Sequence, residues 1–130
     1  MNRIRAAGVP TWVTIFAILI AVGGTLLGLA SLLNPSEADV PTYFERAYGG
    51  RNIGVAIVLG VAVVLRARAA YIAGLVGGLF RDLGDLMRGN DEEVTSMAIV
   101  GAVFMFLGLA ALGDIARRGR ADAIDLERAS

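Results

Sequence analysis

The sequence predicts an all-α integral membrane protein, a four-helix bundle with both the N and C termini in the cytoplasm. Three observations carry this prediction. The chain has 130 residues, of which 56% are hydrophobic, and its mean hydropathy is +0.67. Its apolar residues are gathered into long runs, each near the roughly 20 residues that a helix needs to cross about 30 Å of hydrocarbon. Finally, arginines concentrate in the segments that would share one side of the membrane.

The first two predicted helices cover residues 11–33 and 43–66. The first carries no charge, and the turn-forming sequence Asn-Pro-Ser follows it. It also resembles a signal peptide, but its apolar core exceeds the usual length of about 7 to 15 residues, which favours a retained helix. The second helix begins where Thr42 and Glu45 have the spacing of a capping box.

The third and fourth predicted helices cover residues 69–87 and 93–114. The connection before the third helix is so short that this helix must turn straight back, antiparallel to the second. Acidic residues precede the fourth helix and suit the positive end of its dipole. Residues 115–130 form a mixed-charge tail that we expect in the cytoplasm, so residues 1–130 make one transmembrane domain. Asp114 lies beside the arginines of the tail, and we interpret it as their ion-pair partner, not as a catalytic acid.

Arginine placement predicts the orientation, because positively charged loops stay in the cytoplasm. The loops on the other side carry only Arg46 and Arg88, together with six acidic residues. Trp12 and Tyr71 would then lie at the inner interface. All basic residues are arginine, a bias typical of a GC-rich bacterial genome, so we expect the bacterial inner (plasma) membrane. The arginines on the inner side are Arg3, Arg5, Arg66, Arg68, Arg117, Arg118 and Arg120.

Small residues predict how the helices pack, since lipid gives them no hydrophobic reason to associate. Each predicted helix has a stripe of glycine or alanine that lets backbones approach. Whether one of these stripes serves a second copy of the chain stays open. The glycines predicted at helix contacts are Gly24, Gly28, Gly50, Gly54, Gly74 and Gly78.

Five polar residues are predicted to meet between the second and third helices. Arg51 lies fifteen residues before Arg66, and Arg81 lies fifteen residues after it, so both return to one level across the turn. At about 1.5 Å per residue, that level is roughly 22 Å above the inner boundary, toward the outer face. On the third helix, Asp82 and Asp85 continue the stripe of small residues that includes Gly74 and Gly78. The predicted site, open toward the outside, contains Arg51, Asn52, Arg81, Asp82 and Asp85.

Three interpretations of this group stay open. In the simplest one, the arginine side chains only extend along the helices to reach the lipid headgroups. In the structural one, Arg51 pairs with Asp82 or Asp85 and sets the register of the hairpin. In the functional one, the residues line a small polar pocket for a ligand or a proton. An unpaired charge at the bilayer centre costs about 3 kcal/mol, so the structural and functional interpretations both require pairing.

The composition excludes several kinds of chemistry. The chain has no cysteine and no histidine, which removes disulfides, thiol redox chemistry, histidine-ligated haem and the usual zinc sites. We therefore expect no cofactor and no metal, and we assign no residue as catalytic. A net charge of zero gives no indication of a nucleic-acid partner.

Two short motifs resemble those of a known group of proteins. They are "RNIG", which begins at Arg51 in the second helix, and "RDLGD", which ends at Asp85 in the third, with a short basic turn between them. Over residues 48–87 this arrangement is similar to the small bacterial four-span proteins grouped with the DoxX-like families. The resemblance implies a link to membrane redox or quinone-associated complexes, and it implies no catalytic residue. The lack of cysteine and histidine argues against a redox centre within this chain.

The sequence favours a non-enzymatic membrane protein that acts as a small binding or accessory subunit of a larger assembly. Its partners would be the lipid bilayer and other membrane-protein subunits or a second copy of itself. A homodimeric transporter of ions or small molecules is the second interpretation, although these charges lie too shallow for a midplane site. A membrane isomerase with a lipophilic substrate, using Asp82 or Asp85 as proton shuttle, is the third.

Overall fold

The computed structural model describes residues 9–34, 42–86 and 92–128, and these form four α-helices and no strand. Successive helices pack against each other in antiparallel order, and side chains of the first and last helices close the bundle. The predicted all-α four-helix bundle is confirmed. The helices are α1 (Thr11–Leu33), α2 (Thr42–Leu65), α3 (Arg68–Leu86) and α4 (Glu92–Arg128).

Three of the four helices are long and apolar enough to cross a membrane. These are α1, the part Arg46–Leu65 of α2 and the part Ile99–Asp125 of α4. α3 differs from the predicted set of four spans. It has only 19 residues, and its two arginines and two aspartates lower its hydropathy.

Four apolar side chains of α3 nevertheless point away from the other helices, although Tyr71 and Leu75 are buried. Phe80 is 72% exposed on the outer face, while Asp82 is buried inside the bundle. A water-soluble bundle rarely exposes such an apolar stripe, so the exposed stripe of α3 indicates that lipid surrounds the molecule. The exposed apolar residues of α3 are Ile72, Val76, Phe80 and Leu83.

The fourth helix differs most from its predicted bounds. α4 continues to Arg128, well past the predicted end at residue 114, so the expected tail is helical as far as it is described. The extension contains no proline and is rich in alanine and arginine, both good helix formers. The second helix begins at Thr42, but the side chains of the predicted capping box lie outside the described residues.

The turn between α2 and α3 is as short as predicted. Arg66 adopts a φ of 48°, and the N–H of Ala67 donates to the carbonyl oxygen of Ala62 at 3.2 Å. This is the Schellman arrangement that ends many helices, with an arginine at the left-handed position where glycine is usual. The arrangement reverses the chain within two residues and places α3 directly against α2.

Close contacts between α1 and α2 occur at glycines. A Cβ atom at Gly28 would lie 2.7 Å from the carbonyl oxygen of Gly49, and one at Gly24 would lie 3.2 Å from that of Asn52. The backbones of α1 and α2 approach so closely because no side chain intervenes. On α3, Gly74 instead leaves room for the side chain of Leu59. Gly78 is also buried, with Val55 at an ordinary contact distance of 3.9 Å.

Gly50 and Gly54 differ from the prediction that they lie at helix contacts. Both are exposed, and among the described residues nothing lies within 4 Å of the point where a side chain would begin. The residues of α2 that face α1 include Gly49, Asn52, Ile53 and Ala56. These follow the helical spacings of three and four, so Gly50 and Gly54 are turned away from α1.

The apolar core lies nearer the end of the bundle where α1 begins. Tyr71 is only 2% exposed there, and its hydroxyl donates to Oγ1 of Thr14 at 3.3 Å. Tyr71 is therefore a core residue and does not face the lipid, whereas Trp12 lies at the surface. The buried apolar cluster consists of Val13, Phe16, Ala17, Ile20, Leu59, Ala62, Tyr71, Leu75, Ala111 and Ile115.

Candidate functional site

Three of the five polar residues predicted to meet do so between α2 and α3. Arg81 Nη2 and Nε lie 2.6 and 2.7 Å from Oδ1 of Asp82. Arg81 Nη1 donates to Oδ1 of Asn52 at 3.2 Å. We term Asn52, Arg81 and Asp82 the polar cluster. Its ion pair lies within α3, and its bond to Asn52 joins α3 to α2.

The polar cluster is closed, in that its three side chains are almost completely buried. The predicted opening of the five-residue site toward the outside stays a prediction, because the side chain of Asp85 lies outside the described residues. Asn52 is 3% exposed and Asp82 is 5% exposed, and only 11% of the Arg81 side chain is accessible. A buried charge is tolerated when it is paired and hydrogen-bonded. Arg81 supplies the opposite charge and the hydrogen bond to the carboxylate of Asp82. Within the described part of the chain, Nδ2 of Asn52 is buried and has no hydrogen-bond partner.

Arg51 lies on the surface of the bundle, beside the polar cluster in sequence. Its guanidinium carbon is 5.3 Å from the ring centroid of Tyr48, a cation–π distance. Its Nη1 is 3.3 Å from the position of a Cβ on Gly84, so it reaches α3 over the outside. Arg81 makes an interior link between the two helices, through its hydrogen bond to Asn52. The pairing of Arg51 with Asp82 or Asp85 stays a prediction. The side chain of Asp85, the fifth predicted residue, lies outside the described residues.

A narrow crevice between α1, α3 and α4 ends at the polar cluster. It has room for no more than about one water molecule. Phe16 and Phe104, whose rings stack with centroids 5.8 Å apart, form part of its wall. Small-molecule sites usually have volumes of about 300 to 1,000 Å³, so this crevice does not fit an organic substrate.

A second polar group lies at the opposite end of the bundle. Trp12 Nε1 donates to Oδ2 of Asp114 at 2.9 Å, and Arg118 Nε lies 3.5 Å from Oδ1 of the same carboxylate. The predicted pairing of Asp114 with an arginine of the following segment is confirmed. The bond from Trp12 was not predicted, and it ties the start of α1 to α4.

Arg68 makes a contact that sequence reasoning missed. Its Nη2 donates to the carbonyl oxygen of Ile115 in α4 at 2.9 Å, and its guanidinium lies directly over Gly119. A side chain at position 119 would overlap that guanidinium. The sequence pattern predicts only a loop charge at Arg68, and the signal for the contact is a single glycine, Gly119, inside a charged helical segment. The contact holds the beginning of α3 against α4.

No group of three or more acidic residues able to bind a metal ion occurs among the described residues, and the chain has neither histidine nor cysteine. The polar cluster offers one carboxylate, which is already paired with an arginine. The resemblance of the "RNIG" and "RDLGD" motifs to DoxX-like proteins stays a prediction. The chain matches no family model, and neither a curated protein nor a solved structure shows significant similarity to it.

Proposed function

We propose that this chain is a non-enzymatic binding or accessory subunit in the bacterial inner membrane, with both termini in the cytoplasm. The observation that supports the proposal is the closure of the polar cluster. Arg81 uses its donors on Asp82 and Asn52, within the bundle. Arg81 therefore neutralises Asp82 within α3 and joins α3 to α2 through Asn52. The surface that we propose for contact with a partner protein is the apolar exterior.

The two competing functions require features that the described residues do not supply. A membrane isomerase needs a carboxylate that faces a cavity large enough for its substrate. The crevice beside Asp82 is far smaller, and the carboxylate is engaged by Arg81. A transporter needs polar groups along a path across the bilayer. Along the crevice, the lining residues other than Arg81 and Asp82 are glycine, leucine, isoleucine and phenylalanine.

The arginine distribution supports the proposed orientation. Five arginines lie at the end of the bundle where α1 begins. The contact of Arg68 with Ile115 shows that the turn before α3 lies beside this part of α4. The five are Arg66, Arg68, Arg117, Arg118 and Arg120. Cytoplasmic loops carry the excess of positive charge in membrane proteins. This end would then face the cytoplasm, and the polar cluster would lie toward the opposite face.

An accessory subunit must contact a partner protein through its lipid-facing surface, and site-specific photo-crosslinking tests this directly. A photoreactive residue is placed singly on each helix, at Leu26, Val61, Phe80 or Phe106, all of which are exposed. The matched control is Leu59, which is fully buried. After irradiation in native membranes, we expect one or two of the four exposed positions to give a protein adduct of constant mass.

The control position defines the background, since a residue inside the bundle reaches only its own chain. An adduct of twice the chain's mass would favour the homodimer over an accessory subunit. Adducts with lipid alone at all four exposed positions would contradict the proposed function. Mass spectrometry of the excised adduct identifies the partner and the residue that it touches.

A further inference from the structure

Five arginines lie together at the end of the bundle where α1 begins. Arg68 donates to the carbonyl oxygen of Ile115, and its guanidinium lies against Gly119. The turn between α2 and α3 is therefore held beside the segment 117–120 of α4. The two parts of the chain contribute Arg66, Arg68, Arg117, Arg118 and Arg120, which we term the arginine collar.

Trp12 marks the membrane level of the arginine collar. It is 38% exposed, and its Nε1 donates to Asp114 at 2.9 Å. Tryptophan is enriched at the boundary between hydrocarbon and headgroups. α4 rises about 1.5 Å per residue, so positions 117–120 lie roughly 5 to 9 Å beyond Asp114 along the helix. The headgroup layer is about 5 to 7 Å thick on each side, so the collar lies at headgroup depth.

The arginine collar is strongly positive at this level. Among the described residues here, five arginines and Asp114 leave a net charge of +4. Arg66, Arg117, Arg118 and Arg120 are exposed. The next acidic residues, Asp122, Asp125 and Glu127, follow Arg120 on α4, roughly 3 to 10 Å farther along the helix. Together with Arg128 they lower the net charge of this end from +4 to +2, so an excess of arginine remains, and it is concentrated at the level nearest the bilayer.

We propose that the arginine collar binds the phosphate groups of anionic phospholipids. A guanidinium presents paired donors that match two phosphate oxygens, and it stays charged at any physiological pH. Each arginine near an anionic leaflet raises the binding constant for that leaflet by roughly fivefold. Arg68 and Gly119 hold the two parts of the collar together, so several headgroups meet one preformed surface. The collar therefore selects a shell of anionic lipid around this end of the protein.

The native chain carries a suitable probe, because Trp12 is its single tryptophan and lies beside the collar. The full chain is reconstituted into bilayers that mix phosphatidylcholine with phosphatidylglycerol. Bromine is placed on the acyl chains of one lipid at a time, and quenching of Trp12 fluorescence reports which lipid is adjacent. We expect phosphatidylglycerol to be preferred by at least roughly fivefold at low salt and by less at high salt.

The decisive variant combines Arg117→Gln, Arg118→Gln and Arg120→Gln. For this variant we expect almost no preference, with the ratio of phosphatidylglycerol to phosphatidylcholine beside Trp12 within about twofold of the ratio in the bilayer. The matched control neutralises the acids that follow the collar instead, as Asp122→Asn, Asp125→Asn and Glu127→Gln, and should keep or strengthen the native preference, because it removes negative charge. Because both brominated lipids are compared in the same variant, a change at Trp12 itself cancels.

Three outcomes would overturn the proposal. The first is equal quenching by both lipids in the native chain. The second is an unchanged preference in the triple arginine variant. If that variant does not fold, the single variant Arg117→Gln replaces it, and an unchanged preference there overturns the proposal in the same way. The third is loss of the preference when inorganic phosphate is added at constant ionic strength, which would indicate a site for free phosphate instead of a lipid surface.

Discussion

At the scale of single residues, the geometry of Arg81 determines the character of the polar cluster. Arg81 and Asp82 are adjacent on one helix, where neighbouring side chains normally diverge. The guanidinium bends back to the carboxylate and still reaches Asn52 on α2. The ion pair therefore neutralises the charge inside the bundle, and the bond to Asn52 links the helices. The pairing of Arg51 with Asp82 or Asp85, which the sequence spacing suggests, stays a prediction.

We expect Asp82→Asn to lower the free energy of unfolding by about 3 kcal/mol, because it leaves the Arg81 charge buried without its partner. Replacing both residues, as Arg81→Met with Asp82→Leu, should regain most of this loss, since no buried charge remains. The matched control is Arg118→Gln, which removes an exposed pair and should cost no more than about 1 kcal/mol.

The measurement is denaturant unfolding of the purified protein in detergent, followed by circular dichroism. If the double variant were as unstable as Asp82→Asn alone, stability would not be explained by charge pairing, and the cluster would have another role. If Asp82→Asn had no effect, the buried ion pair would not contribute to the fold.

At the scale of helices, the contact between α1 and α2 depends on which face of α2 is turned inward. Gly28 and Gly49 approach through their backbones, and Gly24 lies over the carbonyl group of Asn52. The inward face thus positions Asn52 for Arg81, so close packing and the polar cluster depend on the same rotation of α2. Gly54 lies on another face and contacts none of the described residues.

Two alanine substitutions separate these faces. Gly28→Ala should lower the free energy of unfolding by about 1 to 3 kcal/mol, because the new methyl group meets the Gly49 carbonyl and the side chain of Ile53. Gly54→Ala adds the same atoms to an open position and should change stability by less than about 1 kcal/mol in either direction. The same detergent unfolding assay compares the two. Equal destabilisation by both variants would contradict the assigned face.

At the scale of the whole molecule, the distribution of apolar side chains fits a lipid surrounding. Large apolar residues cover the exterior, including Leu26 at 64% exposure, Val64 at 80% and Phe106 at 72%. The interior contains glycine, alanine, a few larger apolar side chains and the polar cluster. Contacts of Trp12 with Asp114 and of Arg68 with Ile115 join the helices at the end that carries the arginine collar.

The proposed orientation predicts which end a membrane-impermeant thiol reagent reaches. The chain has no cysteine, so the thiol of a single-cysteine variant is the only one in the protein that the reagent can label. Asn34→Cys and Ala121→Cys both place the thiol at an exposed position, at opposite ends of the bundle. In intact cells we expect labelling of Asn34→Cys only, and labelling of Ala121→Cys after permeabilisation. The reverse pattern would place the arginine collar outside the cell.

The sequence by itself determined the surroundings of the protein, the presence of four helices and the short turn after Leu65. These follow from composition, from the length of apolar runs and from local chain chemistry, which do not depend on distant contacts. It also predicted that Asn52, Arg81 and Asp82 share one level, because helical rise is constant.

Only the tertiary structure decided which side chains at that level meet. A shift of one residue turns a helix face by roughly 100°, and this is the difference between Gly49 at the contact and Gly50 outside it. Rotation about the helix axis is set by packing against neighbouring helices, and no local pattern in α2 encodes it. The same holds for Arg68, whose contact with Gly119 joins residues about fifty positions apart and required both helices to be in place.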